Sequence, residues 1–479
     1  MQFLHDQPPT TELTYNDVFL VPRKTTISSR QDVSLTTPDP LALPLPIMVS
    51  NMTAVAGKRM AEVTARRGAV TVLPQDTPPD MLASMISYVK SCHPVFDTPI
   101  TLTRTQTVND ALSLIPKRSH GHAIIVENGK PVGVVSERML GSLDRFTRLG
   151  DIMQTHLITV RDTAKPDTIY TTLDTHRLTF VPVVNRSGKL VGCATKKSAL
   201  RSTLYKPALD AKGRLLVAVA VGINGDVVAK AKFLVEHGAD IIVIDTAHGH
   251  QQKMIDAIGA VRAALPSVPI VAGNVATAEA TTELLNAGAD IVKVGIGPGA
   301  MCTTRMMTGV GRPQFSAVYE CAQAARSLGK HVVADGGIRH PRDVALALAA
   351  GASSVMFASW LTGTHESAAD MIRDNEGRLY KVNYGMASHR AVKNRNARET
   401  PFDQARKELF QEGISESRIY LDPSAPGVED ILDKIASGLR SAMTYSDAAT
   451  LDEFSANAII GIQSTAGYDE GRPLHTSWM

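Results

Sequence analysis

Eight short apolar runs, each trailed by a stretch with helical patterning, constrain the fold of this chain more than anything else in it. They occupy residues 46–50, 69–73, 215–219, 240–244, 268–272, 290–294, 331–334 and 353–357. Continuous apolar runs of this length are what a parallel sheet needs when helices cover both its faces. A Gly-Ala-Asp or Gly-Ala-Ser triplet recurs at 238–240, 288–290 and 351–353, where a helix end must turn into the next strand. Eight such units predict an α/β fold, the closed (β/α)8 barrel, whose active site lies on the loops after the strands. A doubly wound open sheet is the alternative, but no GxGxxG follows the first run. The segments after the runs are polar and glycine-rich: Asp245-Thr-Ala-His-Gly, Gly273-Asn-Val-Ala-Thr, Gly295-Ile-Gly-Pro-Gly and Asp335-Gly-Gly-Ile-Arg.

Length and charge set the outer bounds. A chain of 479 residues has room for a large domain and a smaller one. Its net charge of +3, with no basic stripe, gives no footprint for nucleic acid. No apolar run approaches the roughly 20 residues of a membrane span. The opening residues lack a signal-peptide pattern, and the four cysteines show no CxxC or paired spacing. A cytoplasmic protein without disulfides or a zinc site is expected.

Between the second and third runs the barrel pattern is interrupted, over roughly 94–204. Within this stretch Ile124-Ile-Val-Glu-Asn-Gly-Lys-Pro-Val-Gly-Val recurs as Val183-Val-Asn-Arg-Ser-Gly-Lys-Leu-Val-Gly-Cys, 59 residues later. Each copy reads strand, turn, strand, with Asn128-Gly129 and Ser187-Gly188 at the tips and a polar helix ahead. The pattern resembles a pair of cystathionine-β-synthase (CBS) modules, with Gly150-Asp-Ile-Met153 between them. The expected division is a barrel from 1–93 and 205–479, with modules at 94–149 and 150–204. Such pairs bind adenine or guanine nucleotides and regulate an attached enzyme; a rigid insertion that serves oligomer packing is the plainer reading.

The run Gly295-Ile-Gly-Pro-Gly-Ala-Met-Cys-Thr-Thr-Arg305 carries the chemistry. Glycines at 295, 297 and 299 let a ligand approach the backbone. Cys302 follows them as a thiol, flanked by the hydroxyls of Thr303 and Thr304. A nucleophile on a glycine-rich loop at a strand's C-terminal end suits covalent catalysis. A small buried cysteine is the bland alternative.

This loop, the inserted CBS pair and Asp335-Gly-Gly-Ile-Arg339 together resemble the IMP dehydrogenase/GMP reductase family over nearly the whole chain. The resemblance implies that Cys302 forms an adduct at C2 of a purine nucleotide, beside a nicotinamide that exchanges a hydride with that carbon. Gly299, Ala300, Asp335, Gly336, Gly337, Ala358, Ser359 and Tyr384 would cradle substrate, and Gly385 and Met386 would read the purine edge. Asp245, Thr246, Asn274, Gly295 and Gly297 would line the cofactor side. Thr304 matches a catalytic threonine. The family assembles as tetramers that CBS pairs can stack into octamers, with ATP or GTP as effectors. Its dehydrogenases also hold a monovalent cation such as K+, for which the carbonyls of Gly297, Gly299 and Cys302 are the counterparts.

Two reactions are open to this family. A dehydrogenase oxidises IMP with NAD and hydrolyses the adduct with an Arg-Tyr pair; a reductase converts GMP to IMP and ammonia with NADPH. The segment from Asp17 to Val33 and the run Thr308-Gly-Val-Gly-Arg-Pro-Gln resemble the reductase. No Arg-Tyr dipeptide occurs in 389–418, and without a base an adduct is hydrolysed poorly. The CBS pair, Asp245-Thr-Ala-His-Gly-His250 and Glu412-Gly-Ile414 resemble the dehydrogenase. His389 stands where a reductase glutamate would protonate ammonia, with Glu399 or Glu412 as substitutes. Thr53 and Gln75 replace a carboxylate and a lysine of the usual pattern. GMP reduction with NADPH leads, ahead of IMP oxidation and of a non-catalytic purine nucleotide sensor.

Overall fold

The computed structural model describes residues 11–384 and 416–472, the backbone of Gln2–Phe3, and positions 400, 402 and 406. Eight parallel strands close into a barrel: β1 (Ile47–Val49), β2 (Val70–Leu73), β3 (Ala218–Val221), β4 (Ile241–Asp245), β5 (Ile270–Val275), β6 (Ile291–Val294), β7 (His331–Asp335) and β8 (Ser354–Phe357). They pair in chain order, and β8 returns to β1 with Met356 opposite Met48. The two-residue side-chain period sorts each strand into two cores. Met48, Val70, Val72, Ala218, Ala220, Val243, Val271, Ile291, Val333 and Met356 fill the inside. Their neighbours Val49, Val219, Ile244, Ala272, Val292 and Ala334 pack outward against the helices.

The recurrent triplets end helices as expected. Gly238, Gly288 and Gly351 have φ of 104°, 118° and 109°, a region that costs a side chain dearly. The third strand differs from the expected 215–219. Leu215 bridges antiparallel to Leu209, so the first half of that apolar run pairs back on the segment before it and the barrel strand starts only at Ala218. Hydrophobicity alone is the same on both sides of that boundary.

The interruption forms two like modules. In one, Ile100–Leu102 lies parallel to His122–Glu127, which pairs antiparallel with Lys130–Ser136. In the other, Val160–Arg161, Val181–Val184 and Leu190–Ala194 repeat that order. Asn128 and Gly129, with φ of 50° and 77°, make the tight hairpin tip that Asn-Gly foretells. The cores interlock differently from a division at 149/150. Leu149 and Met153 lie in the first module's core, Val134 bridges to Gln154, and Phe96 packs into the second module.

Buried ion pairs tie the insert to the barrel. Glu62, on the helix after β1, is fully buried and accepts from Arg66 at 3.2 Å, from Tyr88 Oη at 3.2 Å and from Arg118 of the insert. Arg201, at the insert's end, donates to Glu429 at 3.1 Å, Asp430 at 2.7 Å and Asp433 at 2.7 Å, all on the helix Val428–Tyr445. Burial alone would raise the Glu62 pKa, but Arg118 and Arg66 outweigh it and hold it down at about 2. A depressed carboxylate stabilises the fold above its unfolded pKa, near 4.5, and loses that contribution as pH falls toward about 2. Glu62→Gln strands two buried guanidinium groups and should cost about 3–5 kcal/mol at pH 7. Urea unfolding checks it: the deficit should shrink between about pH 4.5 and 2, and a flat profile contradicts the pairing.

Candidate active site

Strand parity aims three charged side chains at one point. Asp245 lies two residues beyond Val243, Lys293 two beyond Ile291 and Asp335 two beyond Val333, so each follows an inward-facing residue into the barrel's upper layer. Lys293 is 2% exposed. Its Nζ donates to Asp245 Oδ1 at 2.7 Å, to Asp335 Oδ2 at 3.1 Å and to Asn274 Oδ1. Asn274 Nδ2 donates onward to Asp335 Oδ2 at 3.0 Å and to the Gly295 carbonyl at 2.7 Å. Asn51 Nδ2 reaches Asp245 Oδ2 at 3.0 Å. Burial works against the lysine's charge, but Asp245 and Asp335 outweigh it and push its pKa up to about 12. The expected cofactor-side and substrate-side residues therefore share one buried cation. The apolar-run reading passes over Lys293, although a lysine two residues after an inward Ile is the signal that finds it.

The Cys302 loop leaves β6 at Gly295, whose φ is 155°. A Cβ there would fall on the Asp335 carbonyl oxygen, so only glycine lets the loop lie against β7. Gly336 faces it in turn, since a Cβ on Gly336 would stand 3.1 Å from the Gly299 nitrogen. Gly297, with φ of 87°, makes room for the stem of Arg305. Arg312 closes the loop. Its N–H donates to the Ile296 carbonyl at 3.2 Å, and its guanidinium holds Glu12 at 2.8 Å and Glu320 at 2.5 Å.

On this scaffold Cys302 is exposed and outside any disulfide. Its thiol donates to Thr304 Oγ1 at 3.2 Å, and its N–H to the Gly299 carbonyl at 2.9 Å. Ala300 is exposed beside it. The Gly299 carbonyl, one of three expected to face a monovalent cation, thus already accepts one hydrogen bond. Among the described residues no group of three or more His, Cys, Asp or Glu is placed to hold a metal ion.

The remaining expected residues surround the loop. Thr246 exchanges backbone bonds with Gly273 and Asn274, both at 2.9 Å. Gly337 follows Gly336 with φ of 78°. Ala358 is buried after β8, and Ser359 Oγ accepts from Asn383 Nδ2 at 3.2 Å, one residue before Tyr384. The strand Leu379–Tyr384 pairs antiparallel with Glu416–Tyr420, and Ser417 Oγ reaches Met301 Sδ at 3.4 Å. Gly385, Met386, His389, Glu399 and Glu412 lie outside the described residues. Thr53, where a carboxylate is expected, donates its hydroxyl to Asp76 Oδ2 at 3.2 Å. The next loop thereby supplies a carboxylate that spacing within the Ser50–Thr53 segment could not reveal.

Known proteins share this arrangement. A family model described as IMP dehydrogenase / GMP reductase domain matches residues 12–475. A GMP reductase from Mycobacterium tuberculosis is 53% identical over 478 residues, covering 100% of both chains. An inosine-5'-monophosphate dehydrogenase from Bacillus subtilis is 37% identical over 469 residues, covering 96% of this chain and 95% of its own. A crystal structure of a cysteine-to-alanine variant of GMP reductase from Trypanosoma brucei, in complex with guanosine 5'-monophosphate, superposes with a TM-score of 0.70 at 31% identity. That match covers 98% of this chain and 99% of the other. With the barrel, the inserted modules and the Cys302 loop in place, the chain belongs to the IMP dehydrogenase/GMP reductase family.

Proposed function

We propose that the protein is a GMP reductase: GMP, NADPH and two protons become IMP, NADP+ and ammonium through an adduct at Cys302. The observation that carries this reading is the exposed thiol 3.2 Å from Thr304 Oγ1, on a loop braced by Asp335 and Gly336. Full-length 53% identity to a GMP reductase supports the reductive direction. The Cys302 sulfur adds to C2 of the purine, and the amine at that carbon leaves as ammonia. Thr304 Oγ1 stands where it can relay the thiol's proton, and His389 is assigned the proton taken up by the leaving amine. NADPH supplies the hydride that takes the amine's place at C2. When that C–H bond forms, the C–S bond breaks and the thiolate is regenerated.

The residues present fit a nicotinamide dinucleotide. The Asp245 carboxylate, held by Lys293 and Asn51, and the Thr53–Asp76 pair offer fixed acceptors for ribose hydroxyls along the barrel rim. Gly336, Gly337 and Ser359 are assigned the phosphate of GMP; the Gly336 N–H is held by the Met356 carbonyl at 3.0 Å, so the backbone N–H groups of Gly337 and Ser359 are the ones assigned to the anion. The two inserted modules are assigned purine nucleotide effectors, ATP or GTP, and the protein a tetramer or octamer.

The test follows absorbance of reduced nicotinamide with purified protein, GMP and NADPH, with and without ATP or GTP. Oxidation matched by equal IMP and ammonium is the expected result. Reduction of NAD with IMP, and no reaction with GMP, would instead make the protein a dehydrogenase. Tight GMP binding with neither reaction would leave a sensor.

A further inference from the structure

We propose that Lys230 and Lys253 together bind the 2′-phosphate on the adenosine ribose and so select NADPH over NADH; this rests on the reductase reading above. The two lysines belong to different helices, Val227–Glu236 after β3 and Gln252–Ala264 after β4. They converge on one exposed residue of the β3 loop. Lys230 Nζ donates to the Asn224 carbonyl at 3.0 Å, and Lys253 Nζ to Asn224 Oδ1 at 2.6 Å. Neither lysine belongs to a described ion pair, unlike His250 with Glu283 and Lys293 with Asp245 and Asp335 at neighbouring strand ends. The nearby carboxylates are otherwise engaged. Asp226 caps its helix through the Ala229 N–H at 2.8 Å, and Asp256 accepts from Gln252 at 2.8 Å.

This placement runs against ordinary electrostatic preference. Each lysine sits near the start of its helix, where the aligned peptide dipoles favour an anion and disfavour a cation. Two like charges meeting on one residue add to the cost. Local choices that oppose the fold's own preferences are expected where a ligand completes the balance. A phosphate dianion does so here, since it matches both ammonium groups and the start of the helix Gln252–Ala264, which has no side-chain cap.

The position along the rim fits as well. β3 pairs with β4, with Val221 opposite Ile244, so the Asn224 loop adjoins the Asp245 loop. The catalytic loop leaves β6, three strand spacings away, roughly 14 Å along the sheet. A dinucleotide with its reactive ring at Cys302 and a ribose at Asp245 would therefore carry its far ribose to the two lysines.

Titration of the full chain, saturated with IMP so that no turnover occurs, measures the affinities directly from the fluorescence of bound NADPH and NADH. Lys230→Gln or Lys253→Gln should each lower the NADPH-to-NADH affinity ratio about threefold, and the double variant about tenfold. The steady-state KM ratio should move in parallel, and the preference should weaken as salt rises. An unchanged ratio, an equal loss for both dinucleotides, or a wild type that binds both alike would overturn the proposal. Equal loss would place the lysines on the pyrophosphate. A protein that binds NADPH selectively through these lysines but fails to consume GMP would sink the reaction and leave the phosphate site standing.

Discussion

Cys302→Ala should abolish GMP reduction, by about 10⁴-fold or more, while GMP binding stays within about tenfold. The size of the effect follows from what the thiol does. Without sulfur there is no adduct, and neither amine departure nor hydride delivery has a covalent intermediate to act upon. The small effect on binding follows from what the thiol does not do. Cys302 is exposed, so its removal opens no cavity in the core. The loop's shape rests on other contacts: Gly295 against Asp335, Gly336 against Gly299, and Arg312 on Glu12 and Glu320. The cysteine-to-alanine variant of the Trypanosoma brucei enzyme was solved in complex with GMP, as expected if the nucleotide needs no thiol to be held. Calorimetric GMP binding alongside single-turnover NADPH oxidation separates the two effects. Turnover within about a hundredfold of wild type would end the covalent mechanism for this protein.

How much of this could be read from residues alone depended on range. The barrel was legible because burying both faces of a parallel sheet writes continuous apolar runs into the chain, and glycines at 238, 288 and 351 mark where helices stop. The Cys302 loop was legible because its glycines, thiol and hydroxyls fall within one short run of the chain. What stayed hidden was polar contact across long separations. Glu62 with Arg118, Arg201 with Glu429, and Lys230 with Lys253 are ordinary surface charges when read along the chain. Only folding makes the first two pairs buried and brings the last two cations together. Strand ends were blurred for a related reason. Leu215 and Val219 are equally apolar, yet one bridges to Leu209 and the other belongs to the barrel. The Thr53–Asp76 pair shows the same limit at the site, with a carboxylate arriving from a neighbouring loop.

Lys293→Met should be the most damaging change away from the thiol. The side chain fits a similar volume, so the loss is of charge and not of packing. Its removal leaves Asp245 and Asp335 facing each other near Asn274, without the cation that joins them. Breaking a buried pair from one side costs about 3–5 kcal/mol; the lower end applies here, because both carboxylates keep some contact with solvent. The sign with pH is fixed by the raised lysine pKa. Stability from this cation is fully present below about 10.5 and is lost only as pH rises through about 12, so the deficit should be constant from neutral pH to about pH 10. Activity should fall about 10–100-fold, since Lys293 holds Asp245, Asn274 and Asp335 in place. Adding Asp245→Asn to Lys293→Met discriminates positioning from simple destabilisation. The double variant removes one of the two stranded charges and should recover at least about 1 kcal/mol in urea unfolding, because neighbours in one network are not additive. It should not recover kcat, since Asp245 is then still unable to accept as a fixed carboxylate. Recovery of both stability and turnover would mean that the cation holds the barrel together and leaves the chemistry to other groups.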